Sequence, residues 1–395
     1  MAMKRSTSCD RTMKHLRILI LNAMMLVMAF LMQPGLVMAA EGLEEEPPKS
    51  NLATIEMKAH NLYPEGFDWD AKHKRFLVGS MGQGKLVAVT EDGTVEDFVK
   101  DEEYAGAIIL GVTVDRFHNR VLAVVHKPTS SNRINALAAY DLDSKKRHFF
   151  VNFHEVVDDW SRSTNKDVAN DVAVDADGNA YVTNSGGNLI WKVTKEGVKS
   201  VFIASVPQLP IVVEDEFVKT VTINGIVVHH DGYLLLSQSN SGGLLRVGIA
   251  DKELQAVKIM DGNHEAVLDG ADGMAMRSDG SLVVVSTHTA WLLSSTDSWL
   301  SATLVGKVPL DTAVSTTGVT VKDMDMFAIH CHFVEFWKGM EWDSFKILEV
   351  KFTADDSEDN NPLWLLAIAG IAVWFILLWK CQMNQFNKVY TKKRV

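Results

Sequence analysis

The chain opens a strand in the same way six times, at intervals of 45, 60, 54, 48 and 45 residues. The openings are PEGFDWD from Pro64, LGVTVD from Leu110, NDVAVD from Asn170, NGIVVH from Asn224, DGMAMR from Asp272 and TGVTVK from Thr317. Between them Val, Ile and Leu alternate with polar residues, and Asp-Gly pairs recur at Asp92, Asp177, Asp231 and Asp279. That is the pattern of short strands joined by tight turns. Each interval holds one four-stranded unit, and repetition at such a period marks a radial array. The sequence therefore predicts an all-β fold, a six-bladed β-propeller over residues 54–353. The segment Thr54–Ala59 precedes the first full repeat and is expected to pair with the last, closing the ring and removing an exposed edge.

At one register of these openings stand Glu65, Leu110, Asn170, Asn224, Asp272 and Thr317. In a propeller the inner strand of each blade begins on the face where the second and fourth strands end. Glu65, Asn170, Asn224 and Asp272 are thus expected to converge on one mouth of the central channel. Two carboxylates and two amide oxygens suit a hard cation: calcium takes six to eight oxygens at ~2.3–2.6 Å, and water would supply the rest. Zinc would favour His or Cys, which this register lacks. Taken singly, Asn or Asp before a strand is ordinary turn chemistry. Their joint occurrence at one register of a repeat points to a metal site instead.

PEGFDWD, NDVAVDADGNAYVT, NGIVVHHDG and DGMAMRSDGSLVV together resemble the senescence marker protein and gluconolactonase family, the calcium-dependent lactonase and phosphotriesterase propellers. Phe67 departs from that family's Glu-Gly-Pro-x-Trp signature. The resemblance spans nearly all of residues 60–350. It implies a six-bladed propeller, one catalytic divalent cation held by Glu65, Asn170, Asn224 and Asp272, and hydrolysis of lactones or organophosphate-like esters. Strictosidine synthase-like propellers share the fold without using the metal quartet.

A bound calcium would act as a Lewis acid on a carbonyl or phosphoryl oxygen. Asp272 and Glu65 are the nearest carboxylates to the reacting centre. His126, His288 and His330 fall near the ends of second strands and so on the same face, where a histidine can serve as general base. His288, in the Asp272 repeat, is the first choice. The two longest connections, Phe153–Ala169 and Ser205–Thr222, should hang over the mouth. Trp160, Leu209, Ile211, Val212 and Phe217 would give it an apolar lid and a preference for hydrophobic substrates, or would simply pack on the rim.

The flanks have another character. Residues 1–40 carry a basic leader, an apolar run from Ile18 to Met32 and small residues at Ala39-Ala40, the layout of a secretory signal peptide; the alternative is an uncleaved N-terminal anchor. Residues 41–53 and the acidic 354–362 read as linkers. Leu363–Trp379 is a stretch of 17 residues without charge, about 26 Å as a helix, adequate for the endoplasmic reticulum bilayer. The tail 380–395 holds five basic residues and no acid, which places it in the cytosol and the propeller in the lumen. Lys392-Lys393 resembles a dilysine retrieval signal read by coat proteins; the alternative is a plain stop-transfer flank. The expected localisation is the endoplasmic reticulum membrane, in type I orientation.

Charge and cysteine agree with that partition. The total is −11, the leader is +4 and the tail +5, which leaves −20 between them. Such a domain repels nucleic acid and attracts divalent cations. Cys331 stands alone between Cys9 and Cys381, so a lumenal disulfide is not expected. No Gly-x-Gly-x-x-Gly before a helix, phosphate-binding loop, His-Glu-x-x-His or Cys-x-x-Cys occurs. The alternatives to a calcium-dependent hydrolase are a non-catalytic binding propeller with a structural metal, and a condensing enzyme of the strictosidine type.

Overall fold

The computed structural model describes residues 52–127, 133–153, 167–311 and 313–352. The leader, the apolar stretch Leu363–Trp379, the basic tail and Trp160 lie outside the described residues. Among the described residues no helix is long and apolar enough to cross a membrane.

Among the described residues the fold is all-β apart from one short helix, α1 (Phe333–Trp337), and brief 3-10 turns. Six strands begin at the sequence openings: β1 (Pro64–Asp70), β2 (Ile108–Asp115), β3 (Ala169–Val174), β4 (Ile223–His229), β5 (Met274–Met276) and β6 (Thr316–Lys322). Each starts an antiparallel meander; that of β1 continues through Arg75–Ser80, Leu86–Val89 and Val95–Val99. The six touch in order, β1 to β2, β3, β4, β5 and β6, and β6 returns to β1. They form an inner ring.

Thr54–Lys58 pairs antiparallel with Ser344–Val350 and completes the sheet of β6 from the other end of the described chain. The sequence expects every repeat to form its own sheet, yet two of them join. Lys258–Met260, in the outer strand of the β4 sheet, pairs in parallel with Ser301–Thr303 of the β5 sheet, giving one sheet of nine strands beside four of four. Leu254–Asp261 and Ser301–Pro309 are both long, and their otherwise unpaired edges satisfy each other's backbone groups.

The apolar core lies between neighbouring sheets, because each sheet buries both faces. Phe76 of the β1 sheet packs on Trp69 at 4.7 Å and on Phe327 of the β6 sheet at 5.5 Å. Tyr181 and Ile190 meet Leu234 and Leu236 between the β3 and β4 sheets. Val283 and Val285 meet Val319 and Ala328 between the β5 and β6 sheets. This is why some strands depart from the alternation and read as apolar runs, such as the fully buried YLLLSQ of Tyr233–Gln238.

Glycine sets how tightly the inner ring closes. A Cβ on Gly66 would lie 2.6 Å from Leu110 O, and one on Gly225 only 2.2 Å from Asp272 O. No other residue permits that approach.

Candidate functional site

The inner strands do not run straight through the register of Glu65. Pairing with the second strand slips between Pro64 and Phe67, Ile109 and Val112, Ala169 and Val172, Ile223 and Ile226, and Thr316 and Gly318. A bulge frees a residue from the alternation of the pleat and re-aims its side chain. The bulged positions include Glu65, Asn170, Asn224 and Thr317. In the β5 sheet, Asp272 and Gly273 precede the short strand and are held by Asp272 N to Val285 O at 2.7 Å and Val285 N to Gly273 O at 3.0 Å.

Glu65, Asn170, Asn224 and Asp272 all line one cavity of about 430 Å³ along the channel. The backbones of Glu65, Asn224 and Asp272 are fixed by hydroxyls of neighbouring sheets. Thr183 Oγ1 donates to Asn224 O at 2.7 Å, Ser237 Oγ to Asp272 O at 2.8 Å and Thr317 Oγ1 to Glu65 O at 2.9 Å. The amides are fixed as well: Asn170 Nδ2 donates to Ser185 Oγ at 2.7 Å and Asn224 Nδ2 to Ser239 Oγ at 3.1 Å. With its nitrogen so engaged, each amide keeps its oxygen for another partner.

Besides Asp323 at its open end, two further carboxylates absent from the sequence expectation line the same cavity. Asp171 accepts from Val172 N at 2.8 Å and Ile226 N at 3.1 Å; Asp68 accepts from Val114 N at 2.8 Å and from Thr320 Oγ1 at 2.6 Å. The sequence signal was available, since Asp171 takes the register that glycine holds in the other five openings.

This concentration of acid perturbs Glu65, Asp272 and Asp171. Burial, and then the charges of Asp272 and Asp171, hold Glu65 well above the usual carboxylate range. Burial and Asp171 do the same to Asp272, against a hydrogen bond from Asn224. Asp171 is pushed up to about 7, chiefly by burial. Carboxylates packed together without a cation resist losing their protons. A divalent cation would reverse that, and the donor set of oxygens without imidazole or thiolate fits a hard one.

The histidines fall elsewhere. His288 is exposed in the turn after Leu282–Val285 and is not among the cavity-lining residues. His126 is buried and bonds Asn135 Oδ1 through Nδ1 at 2.7 Å. His330 is buried, pushed down to about 4 by burial, and its Nε2 has no hydrogen-bond partner among the described residues. Among the described residues one trio of potential metal-binding groups, His229, His230 and Asp231, lies at the far end of β4, where His229 Nδ1 already accepts from Asp231 N at 3.2 Å. Of the expected lid, Leu209 packs against the rim, whereas Ile211, Val212 and Phe217 are exposed.

The sequence matches no protein-family profile and no curated protein. Solved structures do match in three dimensions. The major allergen Mala s 1 of Malassezia sympodialis superposes with a TM-score of 0.63 at 18% identity, over 76% of this chain and 96% of the allergen. A gluconolactonase of Xanthomonas campestris superposes at 0.51 and 15% identity, over 76% and 91%. A streptogramin B lyase gives 0.50 and 10%, over 76% and 98%. What they share is the fold. The chain is a β-propeller of the shape that gluconolactonases adopt, and propellers of this shape carry more than one activity.

Proposed function

We propose that this chain is a six-bladed propeller whose ring of Glu65, Asn170, Asn224 and Asp272 holds a divalent cation, calcium first among candidates, and hydrolyses lactones or organophosphate-like esters. The observation that carries the reading is the convergence of these four side chains on one cavity, with two carboxylates held above their usual range by burial and by other acids.

When bound, the cation supplies Lewis-acid polarisation of a carbonyl or phosphoryl oxygen. The chain's own residues do the rest. Asn170 and Asn224, fixed by Ser185 and Ser239, present neutral oxygens that orient without adding charge. Asp171 stands beside Asn170 on the cavity wall and takes the proton from an attacking water at its carboxylate, the part first sought in His288.

Asp272→Ala and Asn224→Ala test the reading. Each should abolish chelator-sensitive turnover of an aryl ester or lactone while thermal unfolding stays cooperative. An unchanged rate in either variant rejects the ring as the site. The leader, the apolar stretch and the Lys392-Lys393 tail support a lumenal, membrane-anchored placement in the endoplasmic reticulum. Protease protection of residues 54–353 in sealed microsomes checks it.

A further inference from the structure

The cavity runs from the ring to an open end formed by the exposed Ala71, Arg116, Ser278 and Asp323. The ring's other side is crossed by a contact that the strand order makes unexpected. Phe217 lies in the connection from Lys199–Ile203 to β4, and Phe333 begins α1, after Asp325–His330 of the β6 sheet. Around the ring, β6 is separated from β4 by β5, and from β3 by β1 and β2. Even so, the Phe217 and Phe333 ring centroids lie 5.5 Å apart at 49°. Both segments lie on the face where the inner strands begin, and they meet across the start of the intervening β5 repeat, where Asp272 stands.

Both segments are anchored at the base. Thr222 donates to Ser185 O through N at 2.9 Å and Oγ1 at 2.6 Å, and Leu209 N donates to Gln238 Oε1 at 2.8 Å. Phe336 of α1 packs on Tyr63 at 5.3 Å, two residues before Glu65. The tip is freer, for Phe217 is 56% exposed. The chain enters α1 through His332 at φ 57°, a left-handed conformation costly for a bulky residue and frequent where segments switch. Below, Cys331 is fully buried, with its thiol pushed up by burial and then by Glu65 and Asp272. It is not among the cavity-lining residues.

We propose that Phe217 and Phe333 form an aromatic gate over the oxygen ring and select ligands that bring an aryl or long alkyl group. Parting the pair exposes two aromatic faces to water, and a ligand offsets that cost only by covering them with apolar surface of its own. This names a substrate class and so rests on the ring being the ligand site.

The test is alkylation of Cys331 by iodoacetamide in the full chain, followed at the Cys331 peptide by mass spectrometry. An aromatic contact of this kind shifts an opening equilibrium roughly two- to tenfold, so Phe217→Ala and Phe333→Ala should each speed alkylation by that factor. Phe117→Ala, at an 85% exposed turn position, should react at the unmodified rate. Phe217 is exposed enough for its truncation to leave the core intact. Equal rates in Phe217→Ala and the unmodified protein overturn the gate. Phenyl acetate and γ-butyrolactone provide the second readout: the gate variants should lose the preference for the aryl ester, and an unchanged ratio of kcat/KM overturns the selectivity. Faster alkylation with neither ester turned over upholds the gate and rejects the hydrolase reading.

Discussion

Asp171 is the residue at which the inner ring breaks its own rule. Five openings place glycine at this register and let adjacent strands approach; the third places a carboxylate that binds Ile226 N of the next strand. Its position follows from the repeat, but its burial depends on three neighbouring strands, which is why the sequence pointed to Glu65 and Asp272 and not to it. In cation-free protein the unfolded chain loses the Asp171 proton near 3.8 and the folded one near 7. Between those values the folded state binds more protons, so the Asp171 contribution to stability falls as pH rises from about 4 to about 7 and then levels. Asp171→Asn should remove this component, so that stability falls less with rising pH than in the unmodified protein. Urea unfolding in chelator from pH 4 to 8 checks it. At ~100 times its dissociation constant a cation that binds only the folded state adds about 2.7 kcal/mol. Calcium at that excess should raise the unfolding midpoint of the unmodified protein and leave that of Asp272→Ala unchanged.

At the scale of the element, the bulges decide which side chains see the channel. Strands and turns were legible because Val, Ile and Leu alternate between Asp-Gly pairs. The register slips were not, because a bulge leaves that alternation intact on either side. The joined outer strands Lys258–Met260 and Ser301–Thr303 were equally hidden, since parallel pairing depends on edges brought together by the ring. His288 shows the same limit: strand order gives the correct end of the sheet but not how far the following turn carries a side chain. Gly225→Ala tests the tight closure. Its Cβ would lie 2.2 Å from Asp272 O, an overpacking that costs about 1–3 kcal/mol and pushes Asp272 outward. Calorimetry should show a lower Tm together with weaker calcium binding. Gly232→Ala, strained by φ 85° but with nothing within 4 Å, should lower Tm and leave calcium binding intact.

The whole molecule is held by closure, without a disulfide among its described residues, where Cys331 is free and buried. Each sheet shares apolar faces with two neighbours, and the β6 sheet is finished by Thr54–Lys58. Deleting residues 52–58 should therefore do more than remove one strand. It removes the buried Ile55 and Met57 from the core and leaves Ser344–Val350 as an open edge, a template for pairing with another chain. Sedimentation should show association that grows with concentration, and the unfolding transition should broaden.

The pairing of Ala53 N with the Glu349 carboxylate joins positions 296 residues apart. At ~5–20 residues per second, synthesis delivers the second partner about 15–60 s after the first. During that interval the emerging polypeptide carries an orphaned strand on the ribosome, and any chaperone that assists this protein has its task set by the order of translation.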